Sequence, residues 1–285
     1  MIKLLRANMA RLLKSATFWI CMSLYALYPI IVTLIEKDTY EPITSDRLLA
    51  LNYGVEWFPM QGVFIAILCS IIFSTDFHNG TLKNKIIMGH SRSNIYLANL
   101  LTTMIMSLAL SVIYILIVFI LGMPILGKFT SSASTIIWML VNGALMLMTY
   151  SSIMTFIVMN SKNSTASIII SALILTAGAL LAYIAYHYAS MPPYVMSFME
   201  DEFGNTIYDE HGRVIWIEIP NPELPSKTVR DFCQFLIDFF PSGQSSQISR
   251  EGAYTHGWQM MLYSLGLIPA ITSAGTAIFK KANIK

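Results

Sequence analysis

Six stretches of the chain run for about twenty residues with scarcely a charged side chain, the length an α-helix needs to cross a hydrocarbon core roughly 30 Å thick. They fall at 15–35, 57–75, 95–121, 134–159, 166–189 and 258–279, and within these bounds there is no Asp, Glu, Lys or Arg. The pattern predicts six membrane helices. The first follows a basic stretch, but it is too long for the apolar core of a signal peptide and no small-x-small cleavage site follows it, so it reads as a retained helix.

Between the apolar stretches the pattern changes. In residues 1–14 the side chains Ile2, Leu5, Met9 and Leu12, continued by Ala16, share one helical face. Lys3, Arg6 and Lys14 lie beside that face and Arg11 farther round. This is the pattern of a basic helix lying in a membrane interface, and it serves equally as an anchor or as a partner contact. The connection 76–94 predicts a second short helix. Leu82 and Ile86 are one turn apart, Gly89 suits its stop, and Ser91 or Ser93 suits the N-cap of the third span. A Leu82/Ile86 ridge beside Lys83 and Lys85 suits docking into another protein's groove; resting on lipid headgroups is the alternative.

Segment 190–257 is long enough for a small α+β unit. Residues 206–208 and 214–217 flank Asp209-Glu210-His211-Gly212 and read as a hairpin. Ser226 can cap a helix with Val229, Phe232, Cys233, Leu236 and Phe240 as its apolar face, packed on the outer rim of the spans. The expected organisation is an all-α polytopic membrane protein. It has an interfacial helix at 1–14, five spans in 15–189, an α+β extracytoplasmic insertion at 190–257, and a sixth span with a basic tail at 258–285.

Composition agrees: 55% of residues are hydrophobic, 12% are charged and the mean hydropathy is +0.60. That excludes a soluble enzyme, because one buried core cannot absorb so much apolar surface in a chain of this length. The net charge of only +2 excludes a nucleic-acid-binding domain on bulk charge. Its distribution is uneven. The N-terminus, the second and fourth connections and the tail hold 11 basic residues against one acid, and the other connections hold 7 against 15. The positive-inside rule then puts both termini in the cytoplasm and 36–56, 122–133 and 190–257 outside. Trp57, Trp258, Tyr183, Tyr186 and Tyr188 fall at the outer ends, where an aromatic belt belongs. Cys21, Cys69 and Cys233 are an odd number, two of them within apolar runs, which argues against a disulfide framework.

Catalytic signals are sparse. There is no His-Glu-x-x-His pair, and no carboxylate inside a span to relay protons, which argues against a proton-coupled carrier while leaving sodium coupling open. His187 and His256 are better read as span-boundary residues than as a metal pair. Residues 122–129 match the spacing of a phosphate loop, but Phe129 stands where magnesium needs Ser or Thr, and the segment follows a span on the outer side. No cofactor is expected on this chain. Energy for uphill transport would have to come from a partner.

The run from Asp76 through Asn79-Gly80-Thr81-Leu82-Lys83-Asn84, Gly89-His90-Ser91-Arg92 and Ile95-Tyr96 resembles the segment between the second and third spans of ABC-2 type permeases. Phe240-Pro241-Ser242-Gly243-Gln244 resembles their segment before span six, and the six-span layout with a large outer loop extends the resemblance over essentially the whole chain. Asp76 stands where Glu is common. The resemblance implies a half-transporter in the bacterial cell membrane, two permease copies, expected as a homodimer, pairing with two cytosolic ATPases that bind ATP and magnesium. The 76–94 connection is then a coupling helix, with Asp76, Gly80, Thr81, Leu82, Lys83, Ile86, Gly89, Ser91 and Arg92 as its coupling residues. Spans two and five would line the path, offering Gln61, Ser70, Ser167, Ser171, Thr176 and Tyr183. An amphipathic peptide is the expected cargo, for toxin export or antimicrobial peptide immunity. A sodium-coupled carrier or channel acting alone, and a peptide-sensing immunity protein, are the rival readings.

Overall fold

The computed structural model describes residues 1–55, 58–161, 163–199, 201, 205–250 and 256–282. Trp57, Lys162 and Lys285 lie outside the described residues. Among the described residues, six helices are long and apolar enough to span a membrane: α2 (Ala16–Glu36), α4 (Met60–His78), α6 (Arg92–Ile117), α8 (Ala133–Ser161), α9 (Ser164–Ala189) and α12 (Gly257–Lys281). They match the six expected stretches. The remaining helices are α1 (Ile2–Lys14), α3 (Ser45–Ala50), α5 (Thr81–Ile87), α7 (Met123–Leu126), α10 (Lys227–Phe239) and α11 (Pro241–Ser249). In lipid a chain must satisfy its own backbone groups, which is why the described parts of the apolar runs are almost entirely helical. A π-helical turn at Val118–Gly122 carries α6 directly into α7. The phosphate-loop-like residues 122–129 are thus largely helix, and Phe129 packs edge-on against Phe119, 5.3 Å between ring centres.

The core sits where α4, α6 and α8 meet, around Leu68, Leu110, Tyr114, Met146, Tyr150 and Met154. Buried hydroxyls there bond back into their own helices: Thr102 donates to the Ala98 carbonyl (2.7 Å) and Ser151 to that of Leu147 (2.8 Å). In α2, Phe18, Met22 and Tyr25 face inward while Trp19, Leu24, Leu27 and Ile31 stay exposed, as a helix with one side in lipid requires. All three cysteines are buried free thiols.

Two connections expected on the outer surface penetrate the bundle instead. After α2 the chain re-enters through α3, burying Leu48, Leu49, Asn52 and Tyr53. Asn52 accepts from the Tyr25 hydroxyl (2.9 Å) and donates to Ser111 Oγ (2.7 Å), and Tyr114 donates to the Leu48 carbonyl (2.9 Å). Farther on, α10 and α11 form a tight helical hairpin that dips between α9, α8 and α12. Every residue of α11 is buried. Its Ser242 hydroxyl is 2.9 Å from that of Tyr150 and touches Gly178, near the middle of α9. Gly243 is required at the bend, since a Cβ there would collide with the backbone of Ile237. Gln244 and Ser245 fix the far side by bonding the Met260 carbonyl (3.2 Å), Ser264 Oγ (2.9 Å) and the Tyr53 carbonyl (2.8 Å).

The helix capped by Ser226 therefore forms as expected, with Val229 N donating to Ser226 Oγ (3.4 Å), but its surroundings differ. Cys233 and Ile237 are buried, whereas Val229 and Phe232 are exposed. The expected hairpin around 209–212 forms as a short one: Asp209 N donates to the Arg213 carbonyl (2.8 Å), Ile215 N donates to that of Ile207 (3.1 Å), and Tyr208 pairs with Val214. The regular pairing is between β1 (Tyr194–Phe198) and β2 (Trp216–Pro220), antiparallel, with Tyr194 opposite Pro220 and Phe198 opposite Trp216. His256 Nδ1 is 2.9 Å from Asp238 Oδ2 and His187 packs on Tyr188, so the two histidines have separate partners.

Candidate functional site

The end of the bundle that carries α1, α5 and the last turn of α12 holds the basic connections. Here α4 runs one turn past its apolar stretch, and Gly80, at φ +66°, turns the chain straight into α5. Only a glycine takes that left-handed conformation without strain. At the other end of α5, Gly89 N donates to the Ile86 carbonyl (2.9 Å) and His90 N to that of Lys85 (3.2 Å), the two bonds of a Schellman stop. Ser91 then caps α6, accepting from Asn94 N (3.2 Å). This short helix is fixed at both ends by its own sequence.

Its faces are not those expected. Leu82 is 1% exposed, clustered with Leu4, Tyr96, Met159 and Phe279, and Ile86 packs against the same group. Lys85 is also buried. The apolar side chains that α5 presents outward are Ile87 and Met88, 81% and 69% exposed, with Lys83 exposed beside them. The exposed Leu82/Ile86 ridge is thus corrected: burial of those two against α1, α6 and α12 turns the next pair outward. In α1 the residues buried within the protein are Leu4, Asn8 and Leu12, and Ile2, of the apolar face expected in the membrane interface, is exposed.

A polar cluster ties these helices together. Asp76, at the end of α4 and 1% exposed, is gripped by Arg11 from α1 and Lys85 from α5. Lys85 Nζ is 2.8 Å from Asp76 Oδ2, and Arg11 also reaches that oxygen at 3.3 Å. Asn8 completes the cluster, accepting from Lys85 (3.4 Å) and donating to Asn99 Oδ1 of α6 (2.8 Å). The arrangement is geometric rather than catalytic: one buried carboxylate holds two cations from different helices and so ties α1, α4 and α5 together. Arg92 has a different task. Its guanidinium donates to the carbonyls of Lys280 (2.8 Å) and Ala282 (2.6 Å), capping the C-terminal end of α12. Thr81, partly buried, opens α5.

The six candidate path residues separate into two groups. Gln61, Ser70, Ser167 and Ser171 are fully buried within the protomer. Gln61 donates to the Ser107 carbonyl (2.6 Å), Ser167 donates to that of Asn163 (2.6 Å), and the Ser70 and Ser171 hydroxyls have no partner among the described residues. Thr176 and Tyr183 lie on the exposed side of α9. The six do not converge on one surface of the single chain.

Sequence reasoning missed Asn8 and the burial of Lys85. The four-residue spacing of Leu4, Asn8 and Leu12 was a signal for the first; nothing local marks the second, because its partner is nine residues away across a turn.

A search of curated proteins returns no match. The sequence model of the ABC-2 family transporter proteins matches residues 4–178, from α1 into α9, a segment that includes the whole Asp76 cluster and α5. A match over that much of a six-span chain is decisive: this chain is a multi-pass membrane protein of the ABC-2 transporter family, the non-catalytic membrane component of an ABC transporter.

Proposed function

We propose that the chain is the permease of an ATP-driven exporter, that two copies form the path, and that α5 docks on a separate cytosolic ATPase, which binds ATP and magnesium. The observation that carries this reading is the exposed Ile87–Met88 pair on a helix clamped to the spans through Asp76. An apolar tip flanked by Lys83 suits a groove in a partner, and the clamp gives a rigid route from that groove to α4. The charge bias, 11 basic residues against one acid at this end, favours a cytoplasmic placement of both termini in a bacterial cell membrane. The deciding experiment is purification in mild detergent with Ile87→Asp/Met88→Asp beside the unaltered chain. The unaltered chain should bring an ATPase subunit with it and the variant should not; equal recovery from both would refute docking through α5.

For the cargo, we favour an amphipathic peptide. The spans are uncharged over most of their length and rich in methionine, and α9 exposes Thr176 and Tyr183 among Ile169, Leu173 and Leu180. Such a face accepts a helix with an apolar side and rejects a highly charged polymer. In lipid nanodiscs, amphipathic helical peptides should stimulate ATP hydrolysis by the assembled transporter. A response confined to small drugs or glycolipids would remove the peptide assignment.

A further inference from the structure

The opposite end of the molecule contains a polar cavity of about 570 Å³ between the 41–47 segment, the end of α9 and the last residue of the α10–α11 hairpin. Its walls include Glu41, Thr44, Arg47, Tyr186 and Arg250. Arg250 lies over the Tyr186 ring, 3.8 Å from its centre, so the guanidinium is held by a cation–π contact rather than by a carboxylate. Its Nε is buried and has no hydrogen-bond partner among the described residues. Neither Arg47 nor Arg250 makes an ion pair among the described residues, and Glu41, in the same wall, contacts neither within ion-pair distance. This is notable at an end whose connections carry 15 acids against 7 basic residues. Two guanidiniums facing one cavity repel each other, and their forks fit the oxygens of a phosphate.

Depth points the same way. Tyr186 is three residues before the end of α9, about 5 Å along a helix, which puts the cavity at the level of lipid headgroups. We propose that this cavity binds a phosphate group, with Arg47 and Arg250 as its two forks, and that the phosphate is carried by the headgroup of an acidic phospholipid or arrives free from solution. The volume exceeds what phosphate alone fills and suits a headgroup. Arg47 belongs to the first inserted segment and Arg250 closes the second, so the bound anion bridges them. The inference is independent of the ATPase and cargo readings.

The test uses the intact purified chain, with native mass spectrometry to count retained phosphatidylglycerol and phosphatidylcholine after detergent washing. The unaltered chain should retain phosphatidylglycerol at least about tenfold better than phosphatidylcholine, and Arg47→Gln/Arg250→Gln should lose that preference. In a second arm, millimolar inorganic phosphate is added to the fully delipidated protein and thermal unfolding is followed. A stabilisation present in the unaltered chain and absent in the double variant, without lipid retention, identifies the free anion as the source. Equal lipid retention by both proteins together with no phosphate-dependent shift overturns the site. If the arginine variant fails to fold, Glu41→Gln decides, because removing an exposed negative charge from the wall should raise retention of the acidic lipid. Unchanged or lower retention in that variant overturns the proposal.

Discussion

A carboxylate held by Arg11 and Lys85 at the foot of α4 makes Asp76 the residue on which the basic end depends. Asp76→Asn leaves two cations with weaker partners, and breaking a buried pair from one side costs about 3–5 kcal/mol. The variant should therefore unfold at lower temperature in detergent. Pairing it with Arg11→Gln should give a loss well short of the sum of the single effects, because both act on one cluster. A double-mutant cycle by thermal unfolding checks this. Asp46 offers a second test at the far end. Burial alone would raise its pKa, but Thr130 donates through its backbone N–H (2.7 Å) and hydroxyl (2.8 Å), and Ser131 N–H adds a third bond (3.2 Å). These bonds hold the carboxyl below its ordinary value. A depressed folded pKa contributes stability above the unfolded value of about 3.9, and that contribution fades as pH falls through the folded one. Asp46→Asn should thus lower the unfolding midpoint at pH 7, and the gap to the unaltered protein should narrow below about pH 4.

Helix α5 shows where reading elements from sequence succeeds and where it stops. Gly89 and Ser91 announce the stop of α5 and the start of α6 through local chemistry, and both act so in the structure, whereas the left-handed Gly80 that opens α5 was not read as a cap. Which face is buried depends on Leu4, Tyr96 and Phe279, side chains distant in sequence, so the choice between Leu82/Ile86 and Ile87/Met88 was not legible. The six spans were legible because twenty apolar residues have only one stable arrangement in lipid. The hairpin of α10 and α11 was not, since Pro-Ser-Gly-Gln-Ser-Ser-Gln-Ile-Ser has the composition of a solvated loop. Its burial becomes intelligible only once Tyr53, Tyr150 and Ser264 are seen to supply hydrogen-bond partners. At this scale the faces of α5 should respond differently. Leu82→Asp should lower thermal stability by several kcal/mol, as expected for a carboxylate forced into an apolar cluster. Ile87→Asp, in the exposed position, should leave the unfolding midpoint within about half a kcal/mol of the unaltered chain.

Over the whole molecule, filling is unequal between the two ends. Toward the acidic end, α10 and α11 occupy the space between α9 and α12. Toward the basic end the same space is a groove of about 730 Å³ lined by Ile157, Ile170, Ile174, Ala270 and Ala274. Ala270 and Ala274 of α12 thus line an opening. The isolated chain should hydrolyse no ATP, measured as phosphate release from a contaminant-free preparation. Turnover there would remove the division of labour between permease and ATPase. The inserted hairpin also bears on leakage. A membrane subunit that opens and closes must keep ions from running down the gradients its cell maintains. Here Ser242, Gln244 and Ser245 stitch α11 to the spans and to the first inserted segment. Replacing Gln244 with Ala breaks two of those stitches, and reconstituted liposomes containing that variant should dissipate a potassium gradient faster than liposomes containing the unaltered chain. On this view the polar hairpin would act as insulation, and its serine and glutamine contacts would be the seal.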